Sequence, residues 1–179
     1  MSMRSAGRPH ALVVAGVLLL GSITAAEAAS SARARRCWGR KPTVVARPGQ
    51  TMIKGTNGKD VIQGSSRRDV IVAGGGRDFI CGRGGRDTVR AGRGFDFVRG
   101  GTGADRLVGG RGGDDIDGED GNDTIRAGKG DTDYLIGAPG RDSLDGGAGK
   151  FDAVSYVSAR QGVSVNLRAG HATGEGRDA

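Results

Sequence analysis

Aromatic side chains are scarce in this sequence: one Trp, two Tyr and four Phe among 179 residues. So few rings exclude an ordinary large core. Two cysteines and two histidines leave no ligand set for zinc or haem and no Cys–His nucleophile. No G-x-S-x-G, H-E-x-x-H or P-loop pattern occurs, and His171 stands alone in a loop-like stretch. The chain therefore reads as non-enzymatic. Leu, Ile, Val and Phe fill 35 positions, about one in five, the level near which a charged chain fails to fold. Glycine is what abounds, with 36 residues and no period of three, so a collagen helix is ruled out. Disorder or a repeat remains.

Residues 1–28 read as a secretory signal peptide. Arg4 and Arg8 precede an apolar run from Ala11 to Ile23, and Ala26-Glu27-Ala28 offers a small-x-small cleavage site. The run is too short to cross a bilayer comfortably; an uncleaved anchor is the competing reading. No other segment is apolar enough to span a membrane, so the mature chain is expected to be extracellular and without a transmembrane segment.

A nine-residue period runs through the middle of the chain. Asp stands at 60, 69, 78, 87, 96, 105, 114 and 123, and with two ten-residue blocks the column continues through Asp133, Asp142 and Asp152. Two positions after each Asp comes an aliphatic residue: Ile62, Ile71, Ile80, Val89, Val98, Leu107, Ile116, Ile125, Leu135, Leu144 and Val154. Gly recurs two positions before it, as at Gly58, Gly76, Gly94 and Gly140. One block reads Gly100-Gly101-Thr102-Gly103-Ala104-Asp105-Arg106-Leu107-Val108. Each block supplies one very short strand with a single inward side chain, so blocks must stack to bury anything.

This G-G-x-G-x-D-x-aliphatic-x unit resembles the RTX, or haemolysin-type calcium-binding, nonapeptide repeat. The resemblance covers residues 55–155. It implies an all-β fold, a right-handed parallel β-roll (a β-helix, or solenoid) with two repeats per turn. Ca2+ is the implied cofactor, held in glycine-rich loops by Asp side chains and loop carbonyls. The implied metal residues are Asp60, Asp78, Asp87, Asp96, Asp105, Asp114, Asp123, Asp133, Asp142 and Asp152, with Gly82, Gly100, Gly103, Gly109, Gly112 and Gly121. The family typically uses a C-terminal export signal; the N-terminal leader here departs from that.

Electrostatics points the same way. Stacked strands lie ~4.8 Å apart, so aspartates on one edge recur at about that spacing. Each such pair repels by roughly 1 kcal/mol in water and about 3 kcal/mol at an effective dielectric near 20. Calcium removes the penalty, because it accepts 6–8 oxygen ligands in flexible geometry, and metal is expected to drive folding. A metal-free solenoid with aspartates satisfied by turn hydrogen bonds is the alternative. It fits the first half better, where Arg67 replaces a loop Gly and basic residues outnumber acidic ones by 9 to 5 between Gly55 and Ala104. The strongest calcium loops are therefore expected between Gly82 and Asp133, with Asp87, Asp96, Asp105, Asp114 and Asp123 as best ligands and Asp69 as the weakest.

At the N-terminal end, residues 29–54 read as a basic spacer followed by metal-free capping repeats, since Val44 and Ile53 keep the aliphatic column while Pro42 and Thr51 replace Asp. Cys37 and Cys81, the only cysteines in an exported chain, predict a disulfide; two separate thiols are the alternative. A regular stack leaves them two turns apart, ~10 Å, so the cap has to bend. Trp38 is expected to pack over the open end. Ser30 to Lys54 carries seven basic residues and no acidic one, which suits either a solvated spacer or contact with a cell wall or other polyanionic surface. No clear nucleic-acid partner is indicated. Residues 156–179 read as a strand extension at Gly162–Leu167 and an unfinished further repeat. Two alternatives to a calcium-binding β-roll stay open: the repeat portion of a larger secreted enzyme or adhesin, and a basic polyanion-binding protein.

Overall fold

The computed structural model describes residues 37–130, 132–149, 151–156 and 162–167. The leader, the basic residues before Cys37, His171 and the unfinished last repeat lie outside the described residues.

Every regular element is a short strand. The odd-numbered strands are β1 (Val44–Val45), β3 (Val61–Gln63), β5 (Phe79–Gly84), β7 (Phe97–Thr102), β9 (Asp115–Asp117), β11 (Tyr134–Ile136) and β13 (Ala153–Ser155). They form one seven-stranded parallel sheet in that order. The even-numbered strands are β2 (Met52–Lys54), β4 (Val70–Gly75), β6 (Thr88–Arg93), β8 (Arg106–Arg111), β10 (Thr124–Lys129), β12 (Ser143–Gly147) and β14 (Ser164–Asn166). They form the second. The chain alternates between the sheets, so each strand pairs with those two positions away in sequence order, as Ile71 with Val89 and Val89 with Leu107. Eighteen residues, two repeats, therefore make one turn of a parallel β-solenoid. No helix among the described residues is long and apolar enough to cross a membrane.

The core is as thin as the sequence period requires. Ile53, Ile62, Ile71, Ile80, Val89, Val98, Leu107, Ile116, Ile125, Leu135, Leu144 and Val154 are all fully buried between the sheets, with Ala73, Ala91 and Ala127 filling the corners. Several strands exceed the expected three residues because backbone pairing continues into the glycines, as in the row Gly74, Gly92, Gly110, Gly128 and Gly147. Gly92 has φ 124°, and a Cβ there would collide with the Gly74 carbonyl of the turn below. Only glycine lets the turns approach this closely.

The N-terminal segment bends as the cysteine spacing demands. A tight turn at Trp38 (φ 52°) and Gly39 (φ 71°) pairs Cys37 with Arg40. It folds the chain back over the outer face of the odd-numbered sheet, where Cys37 is bonded to Cys81 of β5 with a Cα–Cα distance of 5.7 Å. Trp38 does not cover the open end. It packs edge-on to Phe97, 5.3 Å between ring centres, and Phe97 stacks on Phe79 at 4.8 Å. The physical reason is an outer apolar strip, Val61, Phe79 and Phe97, that needed covering. Guanidinium groups of Arg40 and Arg99 sit 4.1 Å over the Phe79 and Trp38 rings and finish the cluster.

Candidate metal site in the loop columns

The Asp column splits between the two edges of the solenoid. Asp60, Asp78, Asp96, Asp114, Asp133 and Asp152 stand where the chain enters the odd-numbered sheet; Asp69, Asp87, Asp105, Asp123 and Asp142 stand where it enters the even-numbered one. All eleven are buried.

Each carboxylate first serves the backbone. The N–H of Asp78 donates to Oδ1 of Asp96 one turn on, at 2.9 Å, and Asp96 and Asp114 continue the chain at 3.0 and 2.7 Å. Asp60 donates in the same way to Asp78, and Asp133 to Asp152. On the other edge Asp69, Asp87, Asp105 and Asp123 donate to the next Asp at 2.7 to 2.9 Å. The side chain thus supplies the acceptor for the N–H of the Asp one turn earlier, just ahead of its strand, while the first N–H of the strand itself takes a backbone carbonyl, as Phe97 N–H takes that of Asp78.

Oδ2 is a different matter. In Asp78, Asp87, Asp96, Asp105, Asp114, Asp123, Asp133 and Asp142 it is buried without any hydrogen-bond partner. Burial, the largest cause, drives the pKa up to about 6 in Asp78 and Asp133, about 7 in Asp87 and about 8 in Asp114 and Asp123; the N–H from the previous turn pulls it down in part, and neighbouring aspartates raise it further. Asp96, Asp105 and Asp142 are raised by burial too. Buried carboxylate oxygens with no donor carry a desolvation cost that native proteins rarely leave unmet.

In Asp60 and Asp69 Oδ2 is closed instead, although Oδ1 of Asp69 is buried without a partner. Oδ2 of Asp60 accepts from the Thr56 N–H at 2.7 Å and the Thr56 hydroxyl at 2.9 Å, and Ser65 serves Asp69 with the same two distances. Sequence reasoning grouped Asp60 with the metal residues and singled out Asp69 as weak because of Arg67; the hydroxyls of Thr56 and Ser65 were missed. The signal was present, since both stand four residues before their Asp, in a position held by Gly in Gly74, Gly92, Gly101 and Gly110 and by no Ser or Thr in the other blocks.

The loops gather more oxygen, the closed ones at Gly55 and Gly64 included. A Cβ built on Gly100 would stand 2.7 Å from Asp105 Oδ2 and 2.7 Å from the Gly118 carbonyl oxygen of the next turn. The same point at Gly82 meets Asp87 Oδ2 and the Gly100 carbonyl, and at Gly109 it meets Asp114 Oδ2 and the Ala127 carbonyl. Gly103, Gly112 and Gly121 stack at the fourth loop position, each over the carbonyl of the glycine one turn below. Among the described residues no three His, Cys, Asp or Glu side chains converge. Any cation would therefore be held by carboxylate and carbonyl oxygens together, a hard donor set that suits Ca2+ and not zinc. The orphaned oxygens and the cradles beside them fit such an ion.

Two parallel sheets wound from an 18-residue turn, with carboxylates buried along both edges, define a repeat solenoid built around its loops. The model of the RTX calcium-binding nonapeptide repeat matches at residues 54–89, 82–116, 90–125, 99–132 and 128–150, together more than half of the chain. The chain belongs to that family. No curated protein and no solved structure gives a match.

Proposed function

We propose that this protein is an exported calcium-ion-binding β-roll in which uptake of Ca2+ and folding are one event. The observation that carries the reading is the set of eight buried Oδ2 atoms without donors. Like charges at ~4.8 Å along each edge oppose the stack, and a divalent ion between successive loops reverses the sign. Calcium accepts mixed carboxylate and carbonyl oxygens at the irregular geometry a loop stack offers, whereas magnesium holds to a tight octahedron and its own waters. The sites belong to the loops of Asp78, Asp87, Asp96, Asp105, Asp114, Asp123, Asp133 and Asp142. Loops closed by Thr56 and Ser65, with the disulfide-bonded hairpin before them, form a cap that needs no ion.

The role is binding and structural, at the calcium concentrations met outside the cell, after removal of a leader near Ala28. The test is calcium titration by calorimetry, with far-UV circular dichroism and hydrodynamic radius followed after chelation and again in millimolar calcium. Heat of binding with a gain of β signal and a smaller radius is expected. An identical spectrum and radius in chelator and in calcium would overturn the proposal.

A further inference from the structure

The solenoid sorts its exposed charge by face. Three successive strands of the even-numbered sheet carry two cations each: Arg90 and Arg93 in β6, Arg106 and Arg111 in β8, Arg126 and Lys129 in β10. All six are exposed. Arg93, Arg111 and Lys129 are paired in register, so one loop edge presents three positive charges in steps of ~4.8 Å. Among the described residues none of the six forms an ion pair; the salt bridge found is Arg99 to Glu119, on the opposite side. Asp115 and Asp117 lie on the odd-numbered strand β9. On the even-numbered sheet the cationic rows stop at Asp145, opposite Arg126, whose Oδ1 accepts from Gly147 N–H and Asn166 Nδ2.

Like charges directly opposite in a sheet are destabilising, and among the described residues no ion pair offsets this row. Its regular step suits an extended polymer of anions more than a compact one. Between the cations the outward positions are Thr88, Val108 and Thr124. The outward positions of these strands carry no aromatic ring to stack bases and no large apolar anchor for a protein; Phe95, in the loop after Arg93, is 45 % exposed but packs against Phe97 and beneath the Arg77 guanidinium. Arginine's planar fork takes carboxylate and other oxyanions bidentately, phosphate included, so the acid group is left to the test. We propose that this face binds a linear acidic polysaccharide laid along the solenoid axis, a site independent of the calcium loops.

The test measures binding of the full chain, in millimolar calcium, to polygalacturonate (carboxylate), heparin (sulfate) and single-stranded DNA across a salt series. Two charge-matched triple variants are compared: Arg93→Gln/Arg111→Gln/Lys129→Gln on the ladder, and Arg67→Gln/Arg68→Gln/Arg86→Gln on the other loop edge. Circular dichroism checks that both retain the native spectrum; if the ladder triple does not, Arg111→Gln against Arg86→Gln makes the same comparison. The ladder variant should weaken polysaccharide binding about ten-fold or more at low salt and flatten its salt dependence, with the other triple changing it less than about two-fold. Preference between polygalacturonate and heparin tells which acid group is read. Equal losses in the two triples, tighter binding to DNA, or no binding to either polysaccharide would overturn the proposal.

Discussion

Replacing Asp123 by Asn should push stability in opposite directions with and without calcium. Asn keeps the Oδ1 that accepts the Asp105 N–H at 2.8 Å and puts an amide where the unpartnered Oδ2 stood. That amide sits at the Gly118 cradle, where the Gly137 carbonyl also lies, and being neutral it costs less to bury. Burial chiefly, and the charges of Asp105 and Asp142 after it, raise the Asp123 pKa from 3.8 to about 8 against the pull of the Asp105 N–H. Near neutral pH the wild-type carboxylate thus opposes the metal-free fold across about three pH units at 1.4 kcal/mol each. Allowing for water that still reaches the loop, the relief is about 2 kcal/mol. With calcium bound, the same substitution removes a charged ligand and weakens the fold. Urea denaturation in millimolar calcium, and refolding driven by an osmolyte in chelator, read both numbers. Equal destabilisation in the two conditions would refute the idea that Oδ2 is a cation ligand.

The sign of the pH dependence follows from the same groups. Because their folded pKa values are raised, the metal-free fold holds more protons than the unfolded chain between about pH 4 and 8. Its stability should therefore fall as pH rises through that window, and calcium binding should weaken as pH drops; a metal-free protein that needs less osmolyte to fold at pH 8 than at pH 5 contradicts this. Thr56→Val should cost about 1–3 kcal/mol by stripping Asp60 Oδ2 of its hydroxyl donor, while calorimetry finds the same number of ions and Thr56→Ser restores stability. Replacing Cys37 and Cys81 together by Ser opens a loop with a sequence separation of 44 and should cost about 2–4 kcal/mol. Release of the hairpin should shift Trp38 fluorescence to the red. Unchanged emission would mean that the aromatic cluster holds the hairpin without the bond.

Much of this molecule is legible in one dimension because its fold is one-dimensional. When every turn contacts only its neighbours, the period of Asp, Gly and aliphatic residues is the architecture, and the buried row from Ile53 to Val154 lies where the period puts it. The Cys37–Cys81 pairing was legible too, along with the bend it required. What the period hides is whatever differs between equivalent positions. Thr56 and Ser65 look like lapses from a glycine pattern until they are seen closing Asp60 and Asp69.

Composition and spacing by themselves determined the stacked strands, the thin core and the two edges of carboxylates, since side-chain direction in a strand follows from position alone. Only the tertiary structure decided which carboxylate oxygens keep a donor and which have none. It also decided that Trp38 covers Phe97, and that the cations of β6, β8 and β10 share a face away from Asp115 and Asp117. The Oδ1 ladder and the shared face depend on contacts between turns 18 or 19 residues apart, and the Trp38 contact on residues farther apart still. There, distances of a few tenths of an ångström separate a hydrogen bond from an orphaned charge, and no run of neighbouring letters records them.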